Sequence, residues 1–293
     1  MHLVSFNKDG ELRIGILDRG THEVVDVRAV APTFTNNMLV LIEQGVDAIV
    51  QLREIFISGD GCLPLSGVQL RAPIPVLKRN IFCVGKNYAE HVGEVNAAMQ
   101  TDRNDIPSSP IFFSKATTSL IATGEPILAS LDHTHSVDYE GELAVVIAKR
   151  GRGISTTDAM SYVFGYTILN DVTSRRLQKK HQQWFLGKSL DSFCPLGPSI
   201  VTRDDVSDVG QFVIETHVNH ELRQWGQVKQ MIFSIPELIS TLSQSMTLLP
   251  GDIIATGTPS GVGMGFSPPR FLKPGDHVSV SIEPIGTLIN TVE

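Results

Sequence analysis

Two glutamates stand one residue apart at the head of an apolar run, in the stretch Val137-Asp138-Tyr139-Glu140-Gly141-Glu142-Leu143-Ala144-Val145-Val146-Ile147. The second half of the stretch is β-branched and reads as a buried strand. Strand side chains alternate, so Glu140 and Glu142 share one face, about 7 Å apart along the chain. Asp138 joins them if the strand starts early enough. Neighbouring carboxylates repel each other and resist burial. Either this strand ends in water with its acids hydrated, or a cation sits between them. Hard Mg²⁺ or Mn²⁺ prefers such oxygen ligands. The spacing alone leaves both readings open.

Burying these acids requires a sizeable core, and 293 residues at 42% hydrophobic and 19% charged can supply one. A net charge of −7 with no basic block argues against general nucleic-acid binding. An anionic ligand would need local help, from a metal or from a few basic side chains. Cys62, Cys83 and Cys194 are far apart and form no Cys-x-x-Cys pair, which suits free thiols in a reducing compartment. No leader-like segment opens the chain, and no stretch reaches the roughly 18–20 apolar residues of a membrane span. The expected location is cytoplasmic, with neither membrane nor nucleic acid as partner.

Other candidate chemistry lies on both sides of the acid strand. Residues 1–28 alternate apolar runs and turns, as in a small antiparallel meander. Helical spacing follows over Thr35–Phe56, and then a proline-punctuated linker (Pro64, Pro73, Pro75). A boundary near residue 72 separates a small N-terminal domain, 1–71, from a larger one, 72–293. The strand Ile81–Gly85 runs into Lys86-Asn87-Tyr88-Ala89-Glu90-His91-Val92-Gly93-Glu94. His91 and Glu94 share a helix face, so the carboxylate can orient the imidazole as a general base; a surface ion pair has the same spacing. The polar segment 95–109 could cover a site. Lys115 ends the strand Pro110–Lys115 and could hold an anion or be exposed. His133 and His135 have no third zinc ligand at suitable spacing and read as structural or exposed. A helix opens at Thr156–Met160. Asp171 ends the strand Phe164–Leu169, where an acid is well placed to join the glutamate pair. Arg175 and Gln178 follow on a polar helix. Lys188, in the apolar segment Trp184–Asp191, would neutralise charge or act as an electrophile beside a metal. The loop Thr256–Gly263, which includes Gly257 and Thr258, offers backbone N–H groups and hydroxyls to an anion.

Gly187-Lys188-Ser189 is not a P-loop, because Gln182 stands where the first glycine belongs. Gly151-x-Gly153 and Gly261-x-Gly263 lack the third small residue of a dinucleotide fingerprint. There is neither a His-Glu-x-x-His nor a Gly-x-Ser-x-Gly.

Five ordered segments resemble the fumarylacetoacetate hydrolase family. They are Val84–His91, Asp138–Ile147, Asn170–Arg175, Leu186–Asp191 and Thr256–Gly263. They span roughly residues 72–293. One departure is Leu190, where an aromatic residue is expected. The resemblance implies an α+β, β-rich fold: a mixed-sheet roll with peripheral helices, usually dimeric, here with a small N-terminal α+β domain. It implies that Glu140, Glu142 and Asp171 bind Mg²⁺ or Mn²⁺, that His91 with Glu94 activates water, and that Lys188 sits beside the metal. Tyr88, Lys115, Arg175, Gln178, Gly257 and Thr258 would contact a small anionic 2-oxo acid. The expected reaction is hydrolysis of a C–C bond in an acylpyruvate or related 1,3-diketo acid, as in aromatic catabolism. The same scaffold serves oxaloacetate decarboxylation, dienoate hydration and tautomerisation, and a catalytically inactive binding protein is a further alternative. The acyl pocket would involve residues 95–109 and a turn at Arg223-Gln224-Trp225.

Overall fold

The structure is a computed structural model and describes residues 1–98 and 106–293. The centre of the 95–109 segment therefore lies outside the described residues. The chain forms an α+β, strand-rich fold with the helices at its periphery.

The main sheet has twelve strands. Its path runs Cys62–Pro64, Glu23–Asp26, Glu11–Asp18, His2–Lys8, Cys194–Thr202, Val163–Asn170, Gly141–Ile147, Ile253–Ala255, Ile81–Gly85 and Ile111–Lys115. The acid strand is therefore central. Val163–Asn170 and Ile253–Ala255 flank it, both antiparallel. All seven residues of Gly141–Ile147 are buried, which accounts for a continuous apolar run rather than an alternating one. Leu143, Val145 and Ile147 enter one core cluster, and Ala144 and Val146 enter the other. Glu142 follows the second register and faces the side on which Met38, Leu41 and Leu52 of the N-terminal helices pack.

His2–Lys8 pairs with Cys194–Thr202 through His2↔Val201 and Leu3↔Ile200, so the first 71 residues share a sheet with the rest. The proline-punctuated stretch is more ordered than a linker, because Gln69–Arg71 pairs with His2–Lys8. The helical spacing of 35–56 resolves into two helices, Met38–Gln44 and Val46–Ser58, divided at Gly45. At Thr156–Met160 the backbone makes only a 3₁₀ turn, Ala159–Tyr162. A second sheet of four strands, Val213–Val218, Glu221–Gln227, His277–Ile282 and Gly286–Thr291, packs beside the first.

Candidate active site

The acid strand is interrupted just where its chemistry begins. Val137–Asp138 pairs with Thr173–Ser174, and the seven-residue strand starts only at Gly141. In between, the Glu140 N–H donates to Asn170 Oδ1 at 3.0 Å, and Glu140 O accepts from Asp171 N at 2.8 Å. A side chain thus takes the place of a ladder partner. The break turns Asp138 away from the two glutamates. Its carboxylate accepts instead from the backbone of Gly263 and Met264 and from Arg175 Nε.

Glu140, Glu142 and Asp171 converge, with one carboxylate oxygen from each lying within 4.8 Å of the others. All three are buried. Lys188 Nζ bridges Glu140 Oε2 at 2.6 Å and Asp171 Oδ2 at 2.7 Å. Arg175 Nη1 reaches Glu140 Oε1 at 2.6 Å. Lys115 Nζ reaches Asp171 Oδ1 at 2.6 Å. Burial pushes Glu140 up, but Lys188 and Arg175 outweigh it and hold this carboxyl well below the ordinary range. Glu142 is the exception. Its recorded partner is the Gly257 N–H, at 2.8 Å, and among the described residues no cationic side chain pairs with it. Burial, reinforced by Asp171 and Glu140, raises it well above the ordinary carboxylate range. A buried acid without a counter-cation, facing two others, is what a hard divalent ion would complete. The donor set is all oxygen, so the residues fit Mg²⁺ or Mn²⁺.

Glu140 and Glu142 open on a cavity of ≈ 130 Å³ lined among others by Lys86, His91, Phe113, Arg175, Gln178, Trp184, Lys188, Thr258 and Met264. His91 lies on the helix Ala89–Ala98, with Nδ1 3.3 Å from Glu94 Oε2. Glu94 Oε1 accepts in turn from Gly261 N at 3.0 Å. His91 therefore lines the cavity with Glu94 behind it, and the pair is not a surface ion pair. Close approach demands glycine here: a Cβ on Gly265 would stand 2.0 Å from Glu94 Oε1. Arg175 Nη2 is buried with no hydrogen-bond partner, beside a cavity that can take an anion.

Residues 80–293 match the family model described as Fumarylacetoacetate (FAA) hydrolase C-terminal. The chain belongs to the fumarylacetoacetate hydrolase family. It is 52% identical over 228 residues to the oxaloacetate tautomerase YisK of Bacillus subtilis, covering 78% of this chain and 74% of that one. It is 40% identical over 271 residues to the human mitochondrial oxaloacetate tautomerase FAHD2A, covering 92% and 83%. Among solved structures, the fumarylacetoacetate hydrolase of Exiguobacterium antarcticum matches with a TM-score of 0.86 at 42% identity, covering 100% of this chain and 99% of that one. Maleylpyruvate hydrolase from Sphingobium sp. SYK-6, in complex with manganese(II) and pyruvate, matches at 0.80 and 30% identity, covering 100% and 98%. Among the described residues no helix is long and apolar enough to cross a membrane.

Within this family fold, not every expected substrate contact lines the cavity. Lys115 is fully buried, and its ammonium is used by Asp171, by Val172 O at 3.0 Å and by Lys188 O. It braces an acid instead of meeting a ligand. Tyr88 packs in the core with Val84, Leu143 and Val145. The Gly257 N–H is turned to Glu142. Arg223, Gln224 and Trp225 lie within the strand Glu221–Gln227, not on a turn, and do not line the cavity. His133 and His135 are exposed and are not part of the acid cluster.

Three residues to which the sequence assigned no such role hold the site together. Gln224 is fully buried: its amide donates to Thr258 Oγ1 at 2.7 Å and Pro259 O at 2.8 Å, and its carbonyl accepts from Gly141 N at 2.9 Å. Asn87 bonds Thr256 O and Phe233 O and accepts from Phe233 N, fixing the turn that launches the His91 helix. Asn170 makes the strand break. Asn170, a polar residue closing a largely apolar strand, carries a signal that could have flagged it; Gln224, in the mostly polar strand Glu221–Gln227, carries none.

Proposed function

We propose that this protein is a divalent-metal-dependent enzyme of short 2-oxo dicarboxylates that interconverts the keto and enol forms of oxaloacetate. The observation that carries the reading is His91, held from behind by Glu94, on the wall of a small cavity lined also by Glu140, Glu142 and Arg175, with Asp171 completing the acid cluster beside it. At ≈ 130 Å³ the cavity falls below the roughly 300–1,000 Å³ of sites for drug-sized ligands. That supports a short acid over a long acylpyruvate. Tautomerase names among the relatives point the same way.

Glu140, Glu142 and Asp171 would hold Mg²⁺ or Mn²⁺, which when bound supplies Lewis-acid polarisation of the keto oxygen. Arg175 meets a substrate carboxylate with its unpartnered Nη2. His91, steadied by Glu94, removes the proton from C3 and a proton is returned to the oxygen, giving the enol; the reverse sequence restores the ketone. Lys188 spends two of its three donors on Glu140 and Asp171, leaving one for the oxygen on which negative charge develops. Trp184 and Phe113, edge to face at 5.2 Å, shield this side of the cavity from water. Decarboxylation of oxaloacetate shares these requirements and is a neighbouring activity of the same site.

The test follows enol oxaloacetate by its ultraviolet absorbance, with Mg²⁺ or Mn²⁺ and with chelator, beside a panel of acylpyruvates scored for pyruvate release. Metal-dependent acceleration of tautomerisation above the spontaneous rate supports the proposal. Acylpyruvate cleavage at a higher kcat/KM than tautomerisation would return the hydrolase reading to first place.

A further inference from the structure

Asp138 stands next to the catalytic machinery without touching the cavity, and it is completely buried. Each of its oxygens accepts two hydrogen bonds. Oδ1 takes Tyr139 N at 2.9 Å and Gly263 N at 2.7 Å. Oδ2 takes Met264 N at 3.0 Å and Arg175 Nε at 2.8 Å. One carboxylate thus grips two parts of the site that are far apart in sequence. The first is the 3₁₀ turn Gly263–Gly265, whose Met264 lines the cavity. Two residues upstream, Gly261 N holds Glu94, and Glu94 holds His91. The second is Arg175, which also pairs with Glu140 and keeps Nη2 without a partner. Gly263 is packed so closely that a Cβ there would lie within 3 Å of both Arg270 O and Asp138 Oδ1.

We infer that Asp138 is a positioning residue that couples the His91–Glu94 dyad to Arg175, so that proton transfer and carboxylate binding are set by one buried anion. This rests on the reaction proposed above. The alternative is that Asp138 only stabilises the fold. The two differ in what happens when partners are removed together. If Asp138 acts through Arg175 and through the turn that follows the Gly261 contact to Glu94, losses on each arm are shared; a purely structural role makes them independent.

The experiment is a pair of double-mutant cycles on the full chain, Asp138→Asn with Arg175→Lys and Asp138→Asn with Glu94→Gln. Asn keeps the size but puts a donor where Met264 N and Arg175 Nε also donate. Pyruvate affinity in the presence of Mg²⁺, measured by calorimetry, reads the arginine arm. The kcat for oxaloacetate reads the dyad arm. Amide exchange at Gly263 and Met264 reads the turn directly. The expected result is about a tenfold loss on each arm for Asp138→Asn. Each double variant should lose little more than its worse single, and both amides should lose protection. Additive losses in both cycles, or unchanged affinity and kcat in a folded Asp138→Asn protein, would overturn the inference. If Asp138→Asn does not fold, Asp138→Glu, which keeps the charge but displaces the carboxylate from Gly263 N and Met264 N, must lower kcat several-fold; wild-type kcat in that variant counts against coupling. A protein with no oxaloacetate activity at all would sink the proposed reaction, yet the pyruvate and exchange measurements would still decide the role of Asp138.

Discussion

Lys115→Met tests whether the acid cluster is held by charge or merely by packing. Lys115 is fully buried, and its ammonium serves Asp171 Oδ1 and two backbone carbonyls, Val172 O and Lys188 O. Methionine is similar in length and flexible enough to fill the space, so the perturbation is chiefly electrostatic. Asp171 keeps Lys188 on its other oxygen, but one oxygen and two carbonyls lose their donor. Removing one member of a buried ion pair costs about 3–5 kcal/mol. At about 2–4 °C per kcal/mol for a domain of this order of size, the melting temperature in chelator should fall by roughly 6–20 °C. A divalent ion should return part of the loss, because it supplies positive charge to the same aspartate and binds only the folded state. The assay is thermal unfolding of both proteins in chelator and in Mg²⁺. The reasoning fails if the variant melts within about 1 °C of wild type in chelator, or if Mg²⁺ stabilises it no more than wild type.

Three further outcomes follow from the same geometry. His91→Ala should lower turnover about 10²–10⁴-fold while divalent-ion affinity by calorimetry stays near wild type, because the ring is not part of the acid triad. Glu142 titrates high in the metal-free protein, through burial first and then Asp171 and Glu140. Its contribution to metal-free stability is therefore complete at acid pH and is lost as pH rises through the raised folded value. Metal loading must expel that proton, so divalent affinity should climb with pH, and Glu142→Gln should flatten the climb. Cys194 is pushed up to about 12 by burial and Cys83 is also raised well above the ordinary thiol range by burial, whereas Cys62 is exposed. Iodoacetamide on the native protein should accordingly modify Cys62 and spare the other two, as read by peptide mass spectrometry.

The acid pair was legible because its cause is local. Two glutamates at i and i+2 before Leu143–Ile147 fix a shared face whatever the strand pairs with. Asp171 was legible as an acid at a strand end. Asp138 was not, because its direction depends on the break at Tyr139–Glu140, and that break is made by the side chain of Asn170. Period-two reasoning assumes an unbroken ladder. The brace made by Lys115 depends on Val172 and Lys188, 57 and 73 residues away. Gln224 reaches back 83 residues to Gly141. Such contacts carry no periodic signal. The helix at Thr156–Met160 failed for a related reason: cap-like residues were present without an apolar stripe long enough to pack a helix.

How an acidic chain attracts an acidic substrate can be argued from the charges at the site itself. Asp138, Glu140, Glu142 and Asp171 face Lys115, Arg175 and Lys188: four carboxylates against three cations. With every group ionised the cluster carries one negative charge, and a proton on Glu142 makes it neutral. In either state the cluster itself offers a 2-oxo dianion little attraction, which leaves Lys86 on the cavity wall as the further cation, and the net charge of −7 on the chain adds repulsion. A divalent ion, with Glu142 deprotonated, turns the balance to one positive charge inside a buried cavity, where such a charge is weakly screened. Substrate affinity should therefore depend on the ion through electrostatics as well as through any direct contact. Arg175, already bound by Asp138 and Glu140, cannot supply that attraction alone.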